Sequence, residues 1–175
     1  MDHALAEFSA RGCRAASINN IFDPDQGISK GIIYHYFASK DELFLVCVEE
    51  CFQALKAYIQ DHFHPDGGAV GTGECLTDYF GVRMRFFREY PLYQRIFMES
   101  IFMPPEHLQA DIMERRRPME QVNLEILEEL FSQISLRGHL DREKTAKLLI
   151  QFVNFINLQD HGVELDLTDI RRTTR

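Results

Sequence analysis

The chain has 175 residues, 45% of them hydrophobic and 26% charged, enough to bury a sizeable core and far from the composition of a disordered or fibrous polymer. Nineteen Lys and Arg against 27 Asp and Glu give a net charge of −8, which excludes a broad basic coat for nucleic acid, yet residues 1–40 are charge-neutral and the excess acid lies beyond them. No apolar run reaches the ~20 residues of a bilayer crossing, and the Met1-Asp2-His3 start lacks the basic region of a secretory signal, so a cytoplasmic protein with no membrane partner is expected.

Apolar residues recur at helical spacing along the chain, without period-two alternation, and an all-α protein is predicted. Ala4, Leu5 and Phe8 mark a first helix from Met1 to about Arg11, with Gly12 placed to close it as a C′ residue. Ser17 suits the N-cap of a second helix whose Ile18, Ile21 and Phe22 face inward before Pro24 interrupts it. The Asp23-Pro24-Asp25-Gln26-Gly27 cluster then forms a turn. In the third helix, advancing ~100° per residue separates two faces. Ile32, Ile33, Tyr36 and Phe37 fill the inward one; Lys30, Gly31, Tyr34 and His35 fill the other. Ser29 can cap this helix, and Ile28 and Ile33 can form a hydrophobic staple at its start.

Ser39-Lys40-Asp41-Glu42 is a capping box that opens a fourth helix, running to about His64 with Leu43, Cys47, Cys51, Leu55, Tyr58 and Ile59 on its core stripe. The glycine-rich stretch from Gly67 to Gly73 reads as an interhelix loop; it lacks the Lys-Ser/Thr of a phosphate loop. Leu76, Tyr79, Phe80, Met84 and Phe87 then share a face of a helix from Glu74 to Arg88. Another helix starts at Pro91 and carries Ile96, Phe97, Met98, Ile101 and Phe102. Arg115-Arg116-Arg117-Pro118 lies within a long segment from Pro105 to Ser135, where the proline is expected to kink or divide the helix. Asp141 caps the next, which is apolar over more than half its circumference through Leu148, Leu149, Phe152, Val153, Phe155 and Ile156.

Two short helices joined by a glycine-containing turn, the second with opposed polar and apolar faces, describe a helix-turn-helix. The major groove admits one helix, whose outward side chains meet phosphates and base edges. Gly31 lets the backbone approach; Lys30 and Lys40 bracket the helix as phosphate partners, and Tyr34 and His35 offer hydrogen-bonding groups. With Ser17 and Ser29 at the two helix starts, these seven residues form the expected DNA-facing set. Tyr34→Ala and Lys40→Ala are expected to weaken DNA binding without unfolding the protein. An ordinary amphipathic helix with a solvated face is the competing reading of the pattern alone.

The run Gly27-Ile28-Ser29-Lys30-Gly31-Ile32-Ile33-Tyr34-His35-Tyr36-Phe37-Ala38-Ser39-Lys40-Asp41-Glu42-Leu43 resembles the DNA-binding signature of the tetracycline-repressor-type (TetR) transcriptional regulators. Ala4-Leu5-Ala6-Glu7-Phe8-Ser9-Ala10-Arg11-Gly12 and Ser17-Ile18-Asn19-Asn20-Ile21 are similar to that family's first and second helices, so the likeness covers about the first quarter of the chain. It implies a three-helix DNA-binding head over residues 1–42 and a helical ligand-binding and dimerisation body over 43–175. It further implies a homodimer that binds a palindromic double-stranded operator, as a repressor released by a small apolar or amphipathic effector. The chain departs from the family pattern in three places. It begins inside the first helix, where a basic arm usually precedes. Phe22-Asp23-Pro24-Asp25-Gln26 is one residue longer than usual, and the Val163-Glu164-Leu165-Asp166-Leu167 end is short for the last helix. A helical interaction protein with a degenerate DNA head is the alternative reading.

The Phe and Met density of the body suits an adaptable apolar pocket, expected to be lined by Phe80, Met84, Phe87, Phe97, Met98 and Ile101, with plain core packing as the competing account of each. The last apolar helix needs a second partner, and Leu148, Phe152 and Phe155 are expected to face the same helix of another subunit. Enzymatic chemistry finds no support: His62 and His64 begin ~16 Å along the helix beyond Cys51, too far to share one metal ion with Cys47 and Cys51. Glu49/Glu50 and Glu128/Glu129 are adjacent and diverge around their helices. No cofactor fingerprint, metal motif or catalytic motif occurs. Cys13, Cys47, Cys51 and Cys75 form no CxxC pair and read as buried thiols in a reducing compartment.

Overall fold

The computed structural model describes residues 1–21, 31, 35–64, 72–132 and 141–156. Among the described residues every regular element is helical: α1 (Asp2–Ala15), α2 (Ile18–Ile21), α3 (Lys40–His62), α4 (Thr72–Glu89), α5 (Pro91–Phe102), a single 3-10 turn (Glu106–Leu108), α6 (Gln109–Ser132) and α7 (Arg142–Ile156). Residues 31, 35 and 36 are also helical. The Ile28/Ile33 staple, Phe22 and the turn at 23–27 lie outside the described residues, as do the glycine-rich stretch up to residue 71 and the chain from residue 157 on.

The chain divides into two compact units, one of Met1–Ala54 with Arg88–Pro118, the other of Leu55–Phe87 with Met119–Arg175. In the first, α1 lays Ala4, Leu5 and Phe8 into the core, and α5 packs on it. The Phe8 and Phe44 rings meet edge to face at 5.1 Å, and Phe52 lies 5.4 Å from Phe97. Side chains of this size contribute ~1.5–3 kcal/mol each when fully buried, so these pairs fix how α1, α3 and α5 assemble. Two polar side chains of this core meet a partner. Tyr93 donates to Glu50 Oε1 at 3.0 Å, and Cys51 Sγ lies 3.4 Å from the Tyr93 carbonyl oxygen. All four cysteines are free and buried; burial, more than any neighbour, pushes the Cys47 thiol up to about 12 and Cys51 higher still.

In the second unit Tyr58 packs on Phe86 at 5.4 Å and Phe63 on Tyr79 at 5.3 Å, with Leu127, Leu130, Phe131, Ala146 and Val153 buried from α6 and α7. Asp141 caps α7 as its sequence indicated, its Oδ1 accepting the Lys144 N–H at 3.0 Å. Of the two outcomes expected at Pro118, division does not occur: α6 runs through it to Ser132. Proline removes one ladder bond; Ile112 before it and Met119 and Leu127 after it are buried.

Candidate nucleic-acid interface

The helix-turn-helix is built on the passage from α1 to α2. Gly12 has φ +73° and ψ 166°, a left-handed backbone that glycine adopts without strain, so the break expected there is real and one further turn, Cys13 to Ala15, follows it. Freed from the ladder, the Cys13 N–H donates to both carboxylate oxygens of Glu99, at 2.9 and 3.1 Å. Ser17 caps α2 as expected, its Oγ accepting the Asn19 N–H at 3.3 Å. Its own N–H donates to Glu7 Oε1 at 3.0 Å, where the Asn20 side-chain amide also donates at 2.9 Å. Burial works against ionised Glu7, but these two bonds and the Arg11 charge outweigh it and hold its carboxyl below the ordinary range.

The start of α3 follows the capping-box pattern with one variation. Ser39 Oγ accepts the Glu42 N–H at 3.1 Å, whereas the Glu42 carboxylate reaches past Ser39 to the Ala38 N–H at 2.6 Å. Lys40, expected at a phosphate, gives its ammonium to the carbonyl oxygens of Arg14 (3.0 Å) and Ala16 (3.1 Å). It therefore braces the end of α1, so Lys40→Ala removes two charge-assisted bonds to that helix end.

Of the remaining DNA-facing set, Gly31 and His35 are exposed and helical, and Ser29, Lys30 and Tyr34 lie outside the described residues. Tyr36, assigned inward, is 71% exposed, its ring 5.3 Å from that of His35. It is the last helical residue, and no following turn carries the inward face past it. Phe37 is half-buried. The outward surface thus includes a second aromatic hydrogen-bonding group that face bookkeeping had hidden.

The six residues expected to line a pocket fall in both units. In the second, Phe87 is buried and Phe80 and Met84 are half-buried; in the first, Phe97 is buried and Met98 and Ile101 are half-buried. The sequence reading missed Arg83, which is only 1% exposed. Its guanidinium donates to Asn123 Oδ1 and Asn154 Oδ1, each at 3.0 Å, and lies over the Tyr79 ring; Tyr79 also donates to Asn123. The signal was its place on the stripe, at i+4 from Tyr79 and three before Phe86. Glu99 was missed likewise, a lone carboxylate in the apolar run Ile96 to Phe102. On α7, Leu148, Phe152 and Phe155 are 65%, 50% and 51% exposed. Among the described residues no cluster of three or more His, Cys, Asp or Glu is placed to hold a metal. No described helix is long and apolar enough to cross a membrane.

Residues 1–47 match the family model of the bacterial regulatory proteins of the tetR family. The comparison with curated proteins gave no match. Among solved structures, the TetR family regulator PfmR of Thermus thermophilus is 20% identical, with 98% of this chain and 92% of that one covered and a TM-score of 0.64. The regulator FadR of Bacillus subtilis, solved with stearoyl-CoA, is 16% identical over 96% and 91% of the two chains, with a TM-score of 0.72. AibR, solved with isovaleryl coenzyme A and operator DNA, is 18% identical over 92% and 86%, with a TM-score of 0.65. Residues 1–47 thus match the tetR-family model over the segment that carries the helix-turn-helix signature, and the chain as a whole shares the all-α fold of these solved regulators.

Proposed function

We propose that this regulator is a repressor that binds a palindromic operator as a homodimer in the cytoplasm and lets go when a small apolar or amphipathic molecule binds. The domain boundary implied by the sequence places the reading head at residues 1–42 and the sensing and dimerising body at 43–175. The observation that carries the reading is the family match over residues 1–47, joined to the exposure of Gly31 and His35. A groove-reading helix needs this outward face of small and hydrogen-bonding residues. Ser17, Ser29, Lys30, Tyr34 and Lys40 complete the DNA-facing set.

Two features support the effector class. Phe80, Met84 and Phe87 give α4 an apolar aromatic face, and the buried Arg83 guanidinium sits on the same helix. Acyl-CoA complexes of FadR and AibR show that proteins of this fold accept a ligand with an apolar and a polar end. Phe97, Met98 and Ile101 are the lining residues proposed from α5. Dimerisation is supported by Leu148, Phe152 and Phe155, three large apolar side chains at least half exposed on one helix, a surface that a lone chain leaves in water and a two-fold helical interface covers.

The test is an electrophoretic shift with labelled DNA from upstream of the protein's own gene, comparing wild type with His35→Ala. The expected result is a specific complex for wild type and about tenfold weaker specific binding for the variant, the ~1.4 kcal/mol of one lost base or phosphate contact, with an unchanged thermal midpoint. Equal binding by both proteins would remove His35 from the interface; no binding by either would overturn the reading.

A further inference from the structure

The DNA-binding reading assigns work to the head but none to Glu99, which lies on α5, outside the family-matched segment. Its carboxylate meets the head at the one residue where α1 abandons helical geometry. A Cβ on Gly12 would stand 3.2 Å from Glu99 Oε1 and 3.3 Å from Oε2, so glycine is what allows the carboxylate this close. The broken ladder leaves the Cys13 N–H as an orphan donor, and both Glu99 oxygens accept it. The far end of the same turn is held by Lys40 through the Arg14 and Ala16 carbonyls, and α2 begins two residues later, at Ile18. One short passage, residues 12–16, thus sets how α2 leaves α1, and α5 grips its start.

We propose that Glu99 is a positioning residue for DNA recognition: by holding the Cys13 N–H, it makes α5 the element that sets the angle at which the helix-turn-helix departs from α1. The inference rests on the DNA-binding reading. Burial outweighs the Cys13 bond and the Arg95 and Lys40 charges and raises the Glu99 carboxyl above its ordinary range. Ionised Glu99 is therefore a costly choice for stability alone, in keeping with a role in placing the turn. A residue that only stabilises the fold gives variants whose DNA affinity and thermal stability fall together. A positioning residue of this kind separates the two.

The test uses the full chain as wild type, Glu99→Gln and Glu99→Leu, read three ways: affinity for the labelled upstream fragment and for a scrambled one, thermal midpoint, and amide exchange over residues 13–16. Glu99→Gln keeps the shape, removes the charge and turns one acceptor into a donor facing the Cys13 N–H. The expected result is about tenfold weaker specific binding, the scale of one charge-assisted hydrogen bond, with scrambled-fragment binding unchanged. The midpoint stays level or rises, and exchange at Cys13 quickens. Glu99→Leu follows the same pattern more strongly; should it fail to fold, Glu99→Gln decides. Specific affinity within twofold of wild type for Glu99→Gln, or a loss that only tracks a fallen midpoint, overturns the proposal. If wild type itself retains no fragment, the DNA-binding reading fails and this role falls with it. The exchange at Cys13 then still reports whether the grip exists.

Discussion

The two carboxylates that bond to the α1–α2 passage have their pKa values moved in opposite directions. Glu7 is held below the ordinary carboxyl range by the Ser17 and Asn20 bonds and the Arg11 charge, which together outweigh desolvation. Its contribution to stability is complete above the unfolded value of ~4.3 and is lost as pH falls through the lower folded value. Glu99 is raised, chiefly by desolvation; it binds its proton more readily in the fold, so stability gains from it as pH falls from the raised value toward ~4.3. Acid unfolding followed by circular dichroism separates the two. Glu7→Gln is expected to flatten the loss below about pH 4.3 and to cost about 1 kcal/mol at neutral pH for its hydrogen bonds. Glu99→Gln is expected to flatten the gain above that value. An unchanged acid limb in Glu7→Gln would show that the carboxylate does not hold the start of α2.

At the scale of elements, the assembly of α1 on α3 rests on a few large rings. Phe44 is fully buried and Phe8 is 1% exposed, and truncation of a core Phe removes both transfer energy and filled volume. Phe44→Ala is expected to lower stability by about 3–5 kcal/mol in urea denaturation; a loss below about 1 kcal/mol would mean that this ring pair does not organise the unit. Much at this scale was legible in the sequence, because it is local chemistry. The glycine break after Arg11, the caps at Ser17, Ser39 and Asp141 and the Pro91 helix start all stand where short-range hydrogen bonding puts them. Tertiary effects were less legible. Tyr36 lies at a helix end where the periodicity has no further turn to enforce it. Lys40 looked like a solvent-facing cation until α1 supplied two carbonyls, and Arg83 and Glu99 were hidden because a stripe pattern scores polar residues as outward. Continuation through Pro118, with buried residues on both sides of it, follows from no local rule.

For the whole molecule, charge and exposed apolar surface make separate demands. The net charge of −8 lies outside residues 1–40, so on the proposed reading DNA meets the charge-neutral head, and the salt dependence of binding is expected to reflect a small number of phosphate contacts. The exposed apolar α7 face is the proposed dimer surface: Phe152→Asp and Phe155→Asp are each expected to shift the sedimenting species from dimer to monomer at micromolar concentration, since a carboxylate in an apolar interface goes unpaired. A dimer mass unchanged in both variants would remove α7 from the interface. The effector stays beyond sequence reading for a physical reason, because an aromatic stripe looks the same whether it packs against its neighbours or encloses a ligand.

Specific operator recognition by a homodimer is tested by a fluorescence-anisotropy titration of labelled DNA from upstream of the protein's own gene, at two salt concentrations and with excess scrambled competitor. The expected result is saturation at two protomers per fragment, resistance to the competitor, and an affinity that falls as salt rises because phosphate contacts release counterions. Binding that is absent, or that the scrambled competitor removes as readily as the fragment itself, would contradict it.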